Sequence, residues 1–348
     1  MLEESCERMY ELTIAITTRN RAAFIGQTLD SILPQLTDSV QLLILDGAST
    51  DATPELVRAY QRRCPQLRYV RLARNGGLDR DFSRSVEESS GRYCWLMTDD
   101  DLIRPEAVQA VLRAISANHS LVIVNAEVRN SDLSKVLCAR RMALHEDGVF
   151  TPQQRDQLFA TAGDYLSFIG GVVIRRSLWI ERHKEPYFGS LFVHVGVIFQ
   201  AALPGTALAI AEPLIVIRFG NAMWRPQDFE IWMFKWPRLV WSFEDISEAA
   251  RAAVCRPEPW RRPSTLWLFR AKGSYSLYDY RTWLVGRLAS RTQRALALLI
   301  ACAPGVIANL AALLYCSTVR RDMSIGRFEL ISSRFFIGNW LRNAHAKG

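Results

Sequence analysis

The chain has 348 residues, 49% of them apolar and 22% charged, which is enough for a large buried core and too apolar for general disorder. Its seven cysteines (Cys6, Cys64, Cys94, Cys138, Cys255, Cys302 and Cys316) are scattered, odd in number and form no CxxC pair. This argues against a disulfide framework or a structural zinc site and fits a reducing compartment. The net charge of +8 is uneven: residues 249–348 hold 16 Lys and Arg against 4 Asp and Glu, and residues 1–248 hold 27 against 31. A basic segment among apolar runs suits an anionic membrane face. No nucleic-acid-binding motif occurs, so no nucleic acid partner is expected. The opening MLEESCERMYEL lacks the basic start and apolar run of a signal peptide, which predicts a cytoplasmic location.

In chain order, LTIAITT (12–18) reads as a buried strand and residues 21–36 as a helix, from the spacing of Phe24, Ile25, Leu29, Ile32 and Leu33. VQLLILD (40–46) is a second strand, and 53–64 an amphipathic helix with Pro54 in its first turn. LRYVRLA (67–73) is a third strand, and 78–91 a helix closed by Gly91. RYCWLMTDDD (92–101) is a fourth strand running into three acids, followed by a helix at 104–118 and a strand at 120–128. Further on, FIGGVVIRRSLW (168–179) reads as a strand and turn, EPLIVIR as a strand, and 287–348 as helical. Strands alternating with helices predict an α/β fold with a mainly parallel sheet covered on both faces. In such sheets ligands bind beyond the carboxyl ends of the strands.

The strand ends carry the chemistry. Three adjacent carboxylates, Asp99, Asp100 and Asp101, repel one another unless a cation is present. A diphosphate leaving group needs such a cation, and Mg²⁺ uses only one or two carboxylates plus phosphate oxygens. In Asp46-Gly47-Ala48-Ser49-Thr50-Asp51, Asp46 is placed to accept a hydrogen bond from a nucleobase and Asp51 to cap a helix or reach a ribose. Thr17-Thr18-Arg19-Asn20-Arg21 offers hydroxyls and guanidinium groups for a nucleoside and its phosphates. Asn75-Gly76-Gly77 allows close backbone approach, with Asp79 and Arg80 expected at the same crevice. Each segment alone also reads as an ordinary turn or helix cap.

In this order and spacing the four segments resemble the family 2 glycosyltransferases of the GT-A fold over roughly residues 10–225. Arg80-Asp81-Phe82, Tyr93-Cys94-Trp95 and Phe192-Val193-His194-Val195-Gly196 look most like the abequosyltransferase-type enzymes of bacterial surface-polysaccharide assembly. The resemblance implies that Thr17, Arg19 and Asp46 hold the nucleobase end and that Asp79 lines the nucleotide pocket, and Ser49, Asp51 and Asp99 are further candidate donor-binding residues. Asp99, Asp100 and Asp101 match the metal motif for Mg²⁺ or Mn²⁺, any two forming the working pair, and Asp101 looks like the last motif acid. Where many family members carry an acidic pair for the general base, this chain reads Gly189-Ser190-Leu191-Phe192-Val193-His194 with no acid. His194 is the titratable group there, read as base, as metal or substrate ligand, or as a structural histidine, and Asp164 is a second candidate base. Asn221 and Trp224 either contact a sugar or lipid-linked acceptor or form a packed loop, while Trp232 and Trp236 mark a helix packing face.

Residues 295–316 run 22 residues without a charge but are broken by Pro304-Gly305 and flanked by Arg287, Arg291, Arg294, Arg320 and Arg321. A re-entrant or interfacial hairpin, a single span and a buried soluble hairpin all remain readings. The expectation is a GT-A domain at 1–225 and a basic, apolar helical region at 226–348 associated with a membrane. The expected activity is metal-dependent, inverting transfer from a nucleoside-diphosphate sugar to a polyprenyl-linked saccharide at the cytoplasmic face of a bacterial inner membrane. The alternatives are a nucleotidyltransferase-like enzyme and a non-catalytic scaffold of the same fold.

Overall fold

The computed structural model describes residues 10–221, 227–319 and 323–339; Trp224, Arg320 and Arg321, singled out above, lie outside them. The chain divides into two compact units. One comprises Met1–Val128, Ala139–Arg218 and Phe243–Val254, and the other Arg129–Cys138, Phe219–Ser242 and Cys255–Gly348.

The first unit is built on a sheet. Its apolar, β-branched runs form β1 (Tyr10–Thr18), β2 (Val40–Asp46), β3 (Leu67–Arg71) and β4 (Gly91–Met97), and all seven residues of β2 are buried. Short β5 (Leu102–Ile103) and long β6 (Leu121–Arg129) follow, then β7 (Val136–Cys138) of the second unit, β8 (Gly148–Phe150), β9 (Val172–Arg175) and β10 (Ala207–Arg218). The spatial order is β3-β2-β1-β4-β9-β6-β10-β5, with β8 paired to β10. Strands β3, β2, β1 and β4 are mutually parallel, but β9 runs antiparallel to both β4 and β6. The mainly parallel sheet is therefore interrupted at its centre. Close packing seats β9 there: Trp95 Nε1 donates to the Gly170 carbonyl (2.8 Å), and a Cβ on Gly171 would stand 2.7 Å from the Tyr165 hydroxyl.

Helices α1 (Ile25–Ile32), α2 (Thr53–Gln61), α3 (Leu78–Glu88) and α4 (Ala107–Ser116) join these strands and pack around the sheet. The helix expected over 21–36 is shorter: Arg21–Phe24 form a turn, and Pro34 turns the end into a 3₁₀ segment, Leu33–Gln35. Helix α3 is preceded by Gly77, whose φ of +87° favours glycine. Later come α5 (Arg155–Ala162), α6 (Arg176–Glu181) and α7 (Val193–Phe199). The strand expected over 92–101 ends at Met97, so the three acids occupy the loop between β4 and β5.

The second unit is mainly helical. Phe229, Met233, Trp260, Phe269, Tyr275 and Leu284 form its larger core, and Trp232 meets Trp236 edge to face at 6.4 Å. Helix Pro263–Lys272 packs against Arg291–Cys302 and Gly305–Thr318. At that contact the buried Asn309 amide donates to the carbonyls of Ala271 (3.0 Å) and Leu330 (2.9 Å). Among the described residues no single helix is long and apolar enough to cross a membrane. Arg291–Cys302 and Gly305–Thr318 together have the length and composition, but they bend by 99° at the Ala303-Pro304 break.

Candidate active site

The strand register brings the predicted segments together. Thr18 pairs with Asp46, Asp46 with Arg71 and Ile16 with Met97, so the loops after β1, β2, β3 and β4 leave one sheet edge side by side. Two of these loops are laced to each other. The Asn20 N–H donates to Ser49 Oγ (2.9 Å), the Thr50 N–H to Asn20 Oδ1 (2.8 Å), and the Arg21 N–H to Thr53 Oγ1 (2.9 Å). Asp51 accepts from the N–H groups of Ala22 (3.2 Å) and Thr53 (3.0 Å). Burial is the largest single influence and raises its proton affinity, but the Thr53 hydroxyl and these N–H bonds together outweigh it and hold the carboxyl below its ordinary value. Asn20 and Ala48 both adopt left-handed backbone, with φ of +55° and +63°. Ala48 pays a steric penalty for this, and backbone strain of this kind concentrates at functional sites.

The acidic triplet splits. Arg21 donates through Nε to Asp99 Oδ1 (3.1 Å) and through Nη2 to Asp100 Oδ2 (2.7 Å). Asp101 instead accepts from the Thr98 hydroxyl and, at 2.7 Å, from the Arg218 N–H. The Arg218 guanidinium holds the Asp100 carbonyl (3.0 Å) and Gln27, and the guanidinium groups of Arg21 and Arg218 lie 5.2 and 5.4 Å from the centre of the Phe24 ring. Burial and the neighbouring Asp100 push Asp99 up to about 6 despite Arg21. Burial, then Asp100, raises Asp101 as well. Among the described residues no three His, Cys, Asp or Glu side chains gather as a metal-holding group. The adjacent Asp99 and Asp100 carboxylates nevertheless fit a hard cation completed by phosphate oxygens, since Mg²⁺ commonly takes only one or two protein carboxylates.

The other predicted residues take different places. Asp46 is fully buried, accepting from the Ser49 N–H (2.7 Å) and the Tyr69 hydroxyl (2.6 Å). Burial and the Asp46 charge together raise the Tyr69 phenol. Thr17 is buried and Arg19 exposed. Asp79 does not share the crevice with Arg19 and Asp46: its carboxylate accepts from the N–H groups of Gly189 (2.7 Å), Leu191 (2.9 Å) and Val193 (3.1 Å), anchoring the start of α7. Its near neighbour Asp81 is the one that reaches the crevice. It accepts from the Gly76 N–H (3.1 Å), would stand 2.7 Å from a Cβ on Gly47, and interacts with Arg19 and Asp46. His194 is 1% exposed, with Nε2 2.7 Å from the Leu166 carbonyl. That contact puts the proton on Nε2 and leaves Nδ1 an acceptor without a protein hydrogen bond. Burial pushes its pKa down to about 4. Asp164 is exposed and paired with Arg141 (2.9 Å).

Residues 13–177 match the family model described as glycosyl transferase family 2. Abequosyltransferase RfbV of Salmonella typhimurium is 24% identical over 223 residues, which is 60% of this chain and 67% of RfbV. The succinoglycan biosynthesis protein ExoO of Rhizobium meliloti is 28% identical over 127 residues, 36% of each chain. Among solved structures, S. aureus TarS 1–349 superposes with a TM-score of 0.55 at 14% identity, covering 91% of this chain and 89% of that one. The Pyrobaculum calidifontis mannosyltransferase PcManGT, in complex with GDP-Man and Mn²⁺, gives 0.53 at 16% identity, covering 92% and 85%. Residues 13–177 are thus a glycosyltransferase family 2 domain on a GT-A fold, and the protein is a glycosyltransferase.

Proposed function

We propose that the protein transfers a glycosyl group from a nucleoside-diphosphate sugar to a hydroxyl of a lipid-linked saccharide during surface-polysaccharide synthesis, at the cytoplasmic face of a bacterial inner membrane. The carrying observation is the pair of carboxylates, Asp99 and Asp100, held at one sheet edge by the Arg21 guanidinium. Related structures solved with UDP-GlcNAc and with GDP-Man and Mn²⁺ support a nucleotide-sugar donor and a divalent cation. The names of RfbV and ExoO support the polysaccharide context.

In this reading Asp99 and Asp100 hold Mg²⁺ or Mn²⁺, and the cation, when bound, neutralises charge on the departing diphosphate. The laced loops bearing Thr17, Arg19, Asp46, Ser49 and Asp51 cradle the nucleoside, and Asp81 closes that cradle from α3. Asp79 acts indirectly, setting residues 189–193. Asp101 takes the acceptor hydroxyl's proton as that oxygen bonds to the anomeric carbon and the bond to the phosphate oxygen breaks. One feature favours Asp101 over His194 as base: it belongs to the strand-end loop beside Asp99 and Asp100, whereas the His194 imidazole is turned to the Leu166 carbonyl. Residues 226–348 form the membrane-facing part in this reading, with 1–225 the transferase domain.

Nucleotide release from UDP-, GDP-, dTDP- and CDP-sugars tests the proposal. One donor class is expected to turn over, to stop in EDTA and to recover with Mn²⁺, and Asp100→Asn is expected to lose that recovery. Turnover indifferent to EDTA would overturn the cation role. Failure of every nucleotide to raise the melting temperature would overturn the transfer reading.

A further inference from the structure

We propose that the outer faces of helices Arg291–Cys302 and Gly305–Thr318 are a docking surface for an anionic lipid bilayer. The inference rests on the reading of a membrane-borne acceptor and adds the surface that meets the membrane.

The second helix is built inside out. Its inner face is Gly305, Ala308, Asn309, Ala312 and Cys316, small residues packed on Ala271 and Leu330. Its outer face carries the larger apolar side chains, among them Ile307 (59% exposed) and Leu314 (66%). A helix facing water places its large apolar residues inward, whereas small inner residues with large outer ones is the arrangement of helices that meet lipid. Helix Arg291–Cys302 adds Leu296, Leu298 and Leu299, the last 68% exposed. Of the sixteen exposed large apolar side chains in the described residues, nine fall within 296–319, so the apolar surface is concentrated and not scattered. Beside it lies a groove of about 380 Å³ lined by Pro263, Trp267, Leu296, Leu299 and Ile300, with Ser264 the one polar side chain.

Charge selects the occupant. No Asp or Glu occurs between residues 280 and 321, Arg291 and Arg294 are exposed in the first turn of the first of these helices, and Arg281 and Arg287 are exposed in the segment leading into it. A second copy in a two-fold contact would set these arginines against their own images. An anionic headgroup layer complements them while its hydrocarbon accepts the leucines. The 99° bend suits helices lying in an interface.

Sedimentation of the full chain with vesicles tests this. The protein is expected to partition onto phosphatidylcholine–phosphatidylglycerol vesicles, and less onto phosphatidylcholine alone. Ile307→Glu and Leu314→Glu should each lower partition by about ten-fold or more, since withdrawing two buried CH₂ groups is worth about that factor. Because both side chains already face solvent, the melting temperature should hold. Unchanged partition in these variants overturns the inference, as does a dimer in lipid-free buffer that the same substitutions disperse. A nucleotide-induced melting shift is read on the same samples. If that shift persists without vesicle binding, docking falls and the transfer reading stands; the opposite result overturns the transfer reading alone.

Discussion

Replacing Arg21 by methionine keeps an aliphatic stem of similar length and removes the guanidinium that holds both Asp99 and Asp100. The two contacts are 3.1 and 2.7 Å, and the three side chains are 10–12% exposed, so the pair is largely desolvated. Removing one partner of a buried ion pair costs about 3–5 kcal/mol, and the remaining exposure puts this site near the lower figure, about 3 kcal/mol. That is a large share of the roughly 5–15 kcal/mol by which domains are stable. The vacated carboxylates then become a better cation site. A ligand at a hundred times its Kd adds about 2.7 kcal/mol, whereas in the wild type the cation must first displace the guanidinium. The assay is urea unfolding of both proteins in EDTA and in Mn²⁺. Arg21→Met should lose stability in EDTA and regain much of it in Mn²⁺, with the wild type responding less. In the Arg21→Met background, Asp100→Asn should restore part of the EDTA loss, a coupling of about 1–3 kcal/mol. A loss below about 1 kcal/mol, or an equal Mn²⁺ gain in both proteins, would refute the reasoning.

Three further outcomes follow from the geometry. Asp79→Ala strands three backbone N–H groups at 189–193, each worth about 1–3 kcal/mol if left unpaired, and should speed hydrogen exchange there. The folded His194 pKa of about 4 lies below its unfolded value of about 6.5, so the proton favours the unfolded chain. Its contribution, roughly 3 kcal/mol, is complete above pH 6.5 and fades as pH falls toward 4; His194→Gln should flatten that slope in a pH series of urea midpoints. Ala48→Gly should raise the unfolding free energy by about 1 kcal/mol through relief of the left-handed backbone, seen as a higher urea midpoint, and Ala48→Val should lower it.

The strands and the shared edge were legible because buried runs such as VQLLILD and the acids ending them are local signals. The direction of β9 was not, because VVIR has the same composition whichever way it pairs, and only its neighbours Trp95, Tyr165 and the Gly170-Gly171 turn decide. The sequence motif places Asp79 at the crevice, where the structure has Asp81. Two residues apart on a helix lie about 200° around the axis, so the two carboxylates face nearly opposite ways, and a helical projection of α3 would have separated them. The guanidinium bridge of Arg21 and the backbone bond from Arg218 to Asp101 span 78 and 117 residues and leave no mark on local spacing. The family match is to glycosyltransferases and not to nucleotidyltransferases.

The reversed strand β9 also bears on how the nascent chain matures. β4 ends at Met97 and β9 begins at Val172, so 75 residues must leave the ribosome before the open margin of β4 finds its partner. At about 5–20 residues per second this takes roughly 4–15 s, during which β4 and then β6 each present an unsealed hydrophobic ladder. Synthesis is thus the interval in which chaperone cover matters most. Truncated products ending before residue 172 should aggregate, whereas those extending past residue 175 can seal β4 against β9 and those past residue 218 can also cover β6 with β10.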